Sequence, residues 1–236
     1  MTLLTVDHVT KRFGDLVANN DVSFSVDRGQ IVGLIGPNGA GKTTLFNCIA
    51  GFFAPTEGDI RLDDEAVHGL TPERCARVGI ARTFQVARTF TSMSVAENVM
   101  VGALMLRRNT TLARGKAMEL LEFVDLARHA QRPAGSLTVS EQRRLAVARA
   151  LALEPKLLLM DEVMAGLNPS EVHEAVDVVL KIRAQGIACL IVEHVLEGIM
   201  PIADRIVVLD YGRKIADGTP AEVSRDERVI AAYLGD

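Results

Sequence analysis

Residues 30–44, QIVGLIGPNGAGKTT, decide the fold. The first part, 30–35, is a compact apolar run rich in β-formers, and 42–50 reads as a helix closed by Gly51. Between them Gly36-Pro37-Asn38-Gly39-Ala40-Gly41-Lys42-Thr43 meets every fixed position of G-x-x-x-x-G-K-[ST]. A strand that opens into a glycine-rich turn and then a helix N-terminus is built to hold an anion. Glycines let the main chain curl until successive N–H groups face a phosphate, and the helix end adds its partial positive charge. Lys42 is expected to reach the terminal phosphates of a nucleotide and the Thr43 hydroxyl to ligate Mg²⁺. Gly36, Asn38, Gly39, Ala40, Gly41 and Thr44 complete the expected cradle.

Outward from this loop, strand-like and helix-like stretches alternate, which predicts an α/β fold with a largely parallel sheet. Short strand runs at 3–6 and 22–26 precede the loop, and others recur at 80–84, 156–160, 187–192 and 205–209. KLLLM and IACLIV are apolar without alternation, as strands covered on both faces should be. Between 84 and 156 the strand signals stop. Ser94-Val95-Ala96-Glu97 reads as a capping box, 111–124 carries apolar residues at helical spacing, and a third helix is expected from about 140 to 153. Residues 87–153 are therefore expected to form a helical subdomain inserted into a core of 1–86 and 154–236. Asn168-Pro169-Ser170-Glu171 opens a further helix that Gly186 ends, and Thr219-Pro220-Ala221-Glu222 repeats that start signal.

The strand at 156–160 delivers two consecutive carboxylates, Asp161 and Glu162, to its C-terminal end, where open α/β sheets bind ligands. Asp161 is expected to hold Mg²⁺ and Glu162 to act as general base toward an attacking water. Composition narrows the alternatives. A net charge of −4 argues against a nucleic-acid binder, which would carry a basic stripe. No run approaches the roughly 18 apolar residues of a membrane span, and MTLLTVDHVTKRFG has no signal-peptide pattern, so a cytoplasmic chain is expected. Cys48, Cys75 and Cys189 are scattered and read as small buried hydrophobes.

With GPNGAGKTT, ARTFQ, LLLMDE, AGLN and VEH in this order, the chain resembles the ABC-type ATPases over essentially its whole length. The resemblance implies a P-loop NTPase (RecA-like) core with an N-terminal antiparallel β portion and an ABC-type helical insertion. It implies that Gln85 touches Mg²⁺ or the water, that His194 contacts the γ-phosphate of ATP, and that Asn168 lies where two protomers meet. It further implies that Phe13, in KRFG, stacks on adenine. The family's signature, usually LSGGQ, is where this chain departs, with Leu137-Thr138-Val139-Ser140-Glu141 in its place. Thr138, Ser140 and Glu141 are expected to approach the ATP held by the opposite protomer, with the side chains of Val139 and Ser140, in place of the two glycines, crowding that approach and Glu141 bringing negative charge toward phosphate. The same residues also read as a plain capping box.

GIARTFQ, DEVMAGLNP and the tail ADGTPAEV…RVIAAYLG are most similar to importers of branched-chain or related amino acids and amides. The expected partners are integral membrane permease subunits on the cytoplasmic face of the membrane and a second ATPase protomer, either a related chain or a second copy. A solute-binding protein is an indirect partner. The rival expectations are the ATPase of an exporter, a non-transport ABC ATPase, and a weakly hydrolysing nucleotide-gated regulator.

Overall fold

The computed structural model describes residues 1–83 and 89–234. Two long strands, β1 (Thr2–Phe13) and β2 (Leu16–Asp27), open the chain as an antiparallel pair, and β3 (Ile31–Ile35) follows. The phosphate loop leads into α1 (Lys42–Ile49). Next come β4 (Glu57–Leu62) and β5 (Glu65–Ala66), then α2 (Pro72–Val78), capped by Thr71, and β6 (Ile80–Arg82). β1, β2, β4 and β5 form a four-stranded antiparallel sheet in the order β2-β1-β4-β5.

From β6 to β7 (Leu157–Asp161) the described elements are helical, with α3 (Val95–Leu106), α4 (Thr110–Phe123) and α5 (Val139–Leu151), two short 3₁₀ turns lying between α4 and α5. Ser94 caps α3 with the reciprocal Glu97 bond that the sequence predicts. α5 begins one residue before the expected start because Thr138 is its cap. The chain then runs through α6 (Pro169–Ala184), β8 (Ala188–Val192), α7 (Leu196–Ile199), β9 (Arg205–Asp210) and β10 (Arg213–Gly218). Thr219 does cap a helix, but α8 (Pro220–Val223) is a single turn, followed by α9 (Glu227–Leu234).

The second sheet has six strands in the order β10-β9-β3-β8-β7-β6, parallel except for the edge strand β10. Its central strands are buried on both faces, and successive residues feed different cores. Leu158, Met160, Cys189, Ile191, Ile206 and Val208 join α3, α4, α5 and α6 in one apolar cluster. Their neighbours Leu157, Leu159, Leu190, Val192, Val207 and Leu209 join α1 and the antiparallel sheet in the other. This is the period-2 geometry of a strand applied to a two-sided core. All three cysteines are buried and free. No helix among the described residues is long and apolar enough to cross a membrane.

Candidate active site

The phosphate loop sits at the C-terminal end of β3 with its shape enforced from several sides. At Gly36, where φ is +147°, a side-chain carbon would lie 2.0 Å from the Leu209 carbonyl oxygen. At Gly41, where φ is +94°, it would lie 2.3 Å from the Ala18 carbonyl oxygen. Only glycine fits such positions. Asn19, fully buried on β2, donates its Nδ2 to the Gly41 carbonyl at 3.1 Å. The Gly212 N–H donates to the Ala40 carbonyl at 3.1 Å, and Gly212 in turn accepts from the Asn20 N–H at 2.8 Å. Sequence inspection passes over Asn19, because a lone Asn in a strand looks like any polar residue. The Lys42 ammonium lies along the loop and donates to the carbonyls of Gly36 at 2.6 Å and Pro37 at 2.8 Å. Burial lowers its pKa, while the nearby Glu162 and Asp161 carboxylates pull it back up.

A groove of about 400 Å³ runs over this loop, lined by Asn38, Gly39, Ala40, Gly41, Lys42, Thr43 and Thr44 together with Glu162 and Tyr211. Its volume lies within the range of small-ligand sites. A second groove adjoins it, lined by Pro37, Asn38, Asp210, Tyr211 and residues of α9 including Arg228. On that helix, burial pushes the Tyr233 hydroxyl up in pKa and the nearby Gly36 main chain draws it back.

β7 brings Asp161 to the same edge of the sheet. Its Oδ2 accepts from Arg82 at 2.8 Å, and its N–H donates to the Thr83 hydroxyl at 3.3 Å. Arg82 also donates to the Asn47 side chain, and its guanidinium stacks over the rings of Phe46 and Phe52, 5.1 and 5.5 Å from their centroids. Glu162 turns out of the strand at φ +49°, with its N–H donating to the Val192 carbonyl at 2.9 Å. His194, two residues past β8, places Nδ1 3.6 Å from Glu162 Oε1. Glu162, which lines the groove, and His194 thus stand side by side, although 32 positions apart in the sequence.

Thr43 and Asp161 offer one hydroxyl and one carboxylate. Among the described residues no group of three His, Cys, Asp or Glu forms a metal cage. A hydroxyl and a single carboxylate suit Mg²⁺, which binds through few protein oxygens and completes its shell with phosphates and water. Gln85, the other expected Mg²⁺ contact, lies outside the described residues.

The remaining expected residues stand apart. Phe13 ends β1 and is 41% exposed, edge-on to Phe53 at 5.2 Å and 4.9 Å below the Lys11 ammonium. The phosphate-loop groove is walled on this side by Leu16, Val17 and Ala18. Asn168 caps α6 by accepting from the Glu171 N–H at 3.0 Å. At the start of α5, Glu141 folds back on its own helix. Its Oε2 accepts from the Thr138 N–H at 2.9 Å, and its Oε1 lies 3.1 Å from His129 Nε2, so the side chain is only 13% exposed. The bond from Thr138 is the main reason its carboxyl titrates below the ordinary range. Ser140 is buried as well, and the side chain that projects is Val139, 63% exposed.

A glycine-built phosphate loop on a parallel sheet, with a carboxylate pair and a histidine at adjacent strand ends, defines a P-loop ATPase carrying a helical insertion. Residues 19–165 match the family described as ABC transporter, and residues 213–236 match the branched-chain amino acid ATP-binding cassette transporter family. The chain belongs to the ABC transporter ATPases. It is 41% identical to the high-affinity branched-chain amino acid transport ATP-binding protein BraF of Pseudomonas aeruginosa, covering 99% of this chain and 98% of that protein. The fold matches a nucleotide-free ATP-binding cassette from an ABC transporter with a TM-score of 0.92 at 32% identity, over 100% of both chains. A dimeric cassette in a post-hydrolysis state with ADP and phosphate matches with a TM-score of 0.83 at 25% identity, over 92% of this chain and 99% of that one.

Proposed function

We propose that this ATPase powers import of branched-chain or related amino acids and amides through separate membrane subunits, working as one of two protomers on the cytoplasmic face of the membrane. The proposed nucleotide-binding core is 1–86 with 154–236, and 87–153 is the helical subdomain that carries the signature segment. The observation that carries the hydrolytic reading is the Glu162–His194 pair, 3.6 Å apart beside the phosphate-loop groove. In this scheme main-chain N–H groups and Lys42 hold the phosphates of ATP, and Phe13 stacks on adenine. Glu162 takes the proton of the attacking water, while His194 bonds the γ-phosphate. Thr43, Asp161 and Gln85 would hold Mg²⁺, which would supply charge neutralisation at the phosphates when bound. The chemistry is then mainly positioning and electrostatic stabilisation. The solute class is supported by the match at residues 213–236 and the full-length likeness to BraF.

The signature segment Thr138, Ser140 and Glu141 would face the ATP bound by the second protomer, a related ATPase or a second copy. The test is to purify the chain with its membrane subunits, reconstitute them in vesicles, and measure ATP turnover with a solute-binding protein present. Leucine is expected to stimulate turnover and to accumulate inside. Stimulation by an unrelated solute, such as a sugar, and not by any aliphatic amino acid would overturn the solute assignment.

A further inference from the structure

Glu193 is a carboxyl that the hydrolytic scheme does not use. It lies between Val192, the last residue of β8, and His194, and is 0% exposed. Burial pushes its carboxyl above the ordinary range, opposed first by the Met164 N–H, then by the neighbouring His194 and the main chain around it. Oε1 accepts the Met164 N–H at 2.6 Å, whereas Oε2 has no hydrogen-bond partner among the described residues. An acidic group at such depth with one oxygen unpaired is a cost to the fold that an apolar residue would avoid. Its benefit therefore has to be sought in what Oε1 holds.

Met164 is two residues beyond Glu162, and that short segment is tied at each successive residue. The Glu162 N–H donates to the Val192 carbonyl at 2.9 Å. The Val163 carbonyl accepts from Arg143 of α5 at 3.2 Å. The Met164 N–H donates to Glu193. Glu162 has a positive φ of +49°, a conformation that a side-chain-bearing residue keeps only where its surroundings over-determine it. Two of the three ties come from adjacent residues of one chain, Val192 and Glu193, and the next residue is His194. A shift in the Met164 contact would therefore move the carboxylate of Glu162 relative to the imidazole.

We infer that Glu193 is a positioning residue for ATP hydrolysis: by accepting the Met164 N–H it fixes the segment after β7 so that Glu162 and His194 stay in register. The inference rests on Glu162 being the general base. What the position requires is an acceptor of the right reach; the negative charge, which also acts on Arg143 and His194, is what the Gln variant removes.

Two conservative variants separate those requirements. Glu193→Gln keeps an oxygen at the same reach and drops the acid, while Glu193→Asp keeps the acid and shortens the arm by one methylene. In the assembled complex, Glu193→Gln is expected to retain ATP turnover to within about threefold, because the acceptor survives. Glu193→Asp is expected to lose about tenfold or more in kcat, the scale set by small displacements of reacting groups, with ATP affinity held to within about twofold. Hydrogen exchange at the Met164 amide is the second readout, expected slow in the native chain and the Gln variant and fast in the Asp variant. Equal turnover in the native and Asp chains, equal losses in both variants, or loss of affinity in step with kcat would each overturn the inference. So would slow Met164 exchange in all chains. Glu162→Gln in the same assay keeps the two readings apart, since undiminished turnover there would remove the assigned base whatever Glu193 does.

Discussion

The phosphate loop and the start of α5 are the two ends of the chain's proposed catalytic surface, and they are held in opposite ways. The loop is fixed from outside itself, by Asn19 of β2, by Gly212 beyond β9, and by the strand ends on either side. The start of α5 is closed by its own residues, with Thr138 and Glu141 exchanging hydrogen bonds and His129 covering the Glu141 carboxylate. In the first region the donors face a groove. In the second, the Glu141 N–H is already taken by the Thr138 hydroxyl at 3.3 Å, and Val139 stands over the helix end. A helix start that satisfies itself has fewer free N–H groups for a phosphate on another chain. On the proposed reading, the contrast means that one protomer would present a prepared half-site and an attenuated one together. Of the two features expected to oppose a phosphate there, the Glu141 carboxylate is turned back onto its own helix, which leaves the bulk of Val139 and the closed cap.

The largest expected effect lies on the prepared side. Glu162→Gln should lower turnover by roughly 10²–10⁴-fold with ATP binding intact, because the base goes and the shape stays. Turnover close to that of the native chain would break the comparison at its stronger end. Next is Lys42→Ala, which removes a charged donor to phosphate worth about 1.5–3 kcal/mol, so ATP titration should report affinity about tenfold to a hundredfold weaker. Unchanged affinity would mean that the groove over the loop is not where nucleotide binds. The smallest effect is on the self-capped side. Val139→Gly should raise turnover of the assembled complex several-fold, about 1 kcal/mol of transition-state stabilisation. Ser140→Gly, in contrast, puts glycine in the first turn of α5 and should cost about 1 kcal/mol of stability, read as a lower Tm. A Val139→Gly complex no faster than the native one would show that the projecting side chain does not set the difference.

The parts of the fold visible in the sequence were those written in contiguous residues. Apolar runs gave β3, β7, β8 and β9, and local cap chemistry gave the starts of α3, α5 and α6. The antiparallel additions β4, β5 and β10, and the helix α2, went unread because EGDIRL and RKIADG carry turn formers and charges in place of an apolar run. The same limit applies to the site. Lys42, Asp161, Glu162 and His194 stand in recognisable local strings. Arg82 and Asp161 are 79 positions apart, and Glu193 and Met164 are 29 apart, so their partnerships exist only once the strands lie side by side. Glu141 was legible as a cap, but no sequence pattern reveals that His129 closes over it.

The seating of Lys42 has a consequence for what nucleotide binding requires of the loop. Its ammonium is seated on two carbonyls of its own loop, and those contacts are neutral dipoles that a phosphate oxygen outcompetes. The cradle has therefore lost its conformational freedom during folding, and an incoming nucleotide meets a receptor that needs a side-chain swing in place of a chain rearrangement. The expected consequence is that affinity follows how many phosphate oxygens replace those carbonyls, with little free energy spent on ordering the loop.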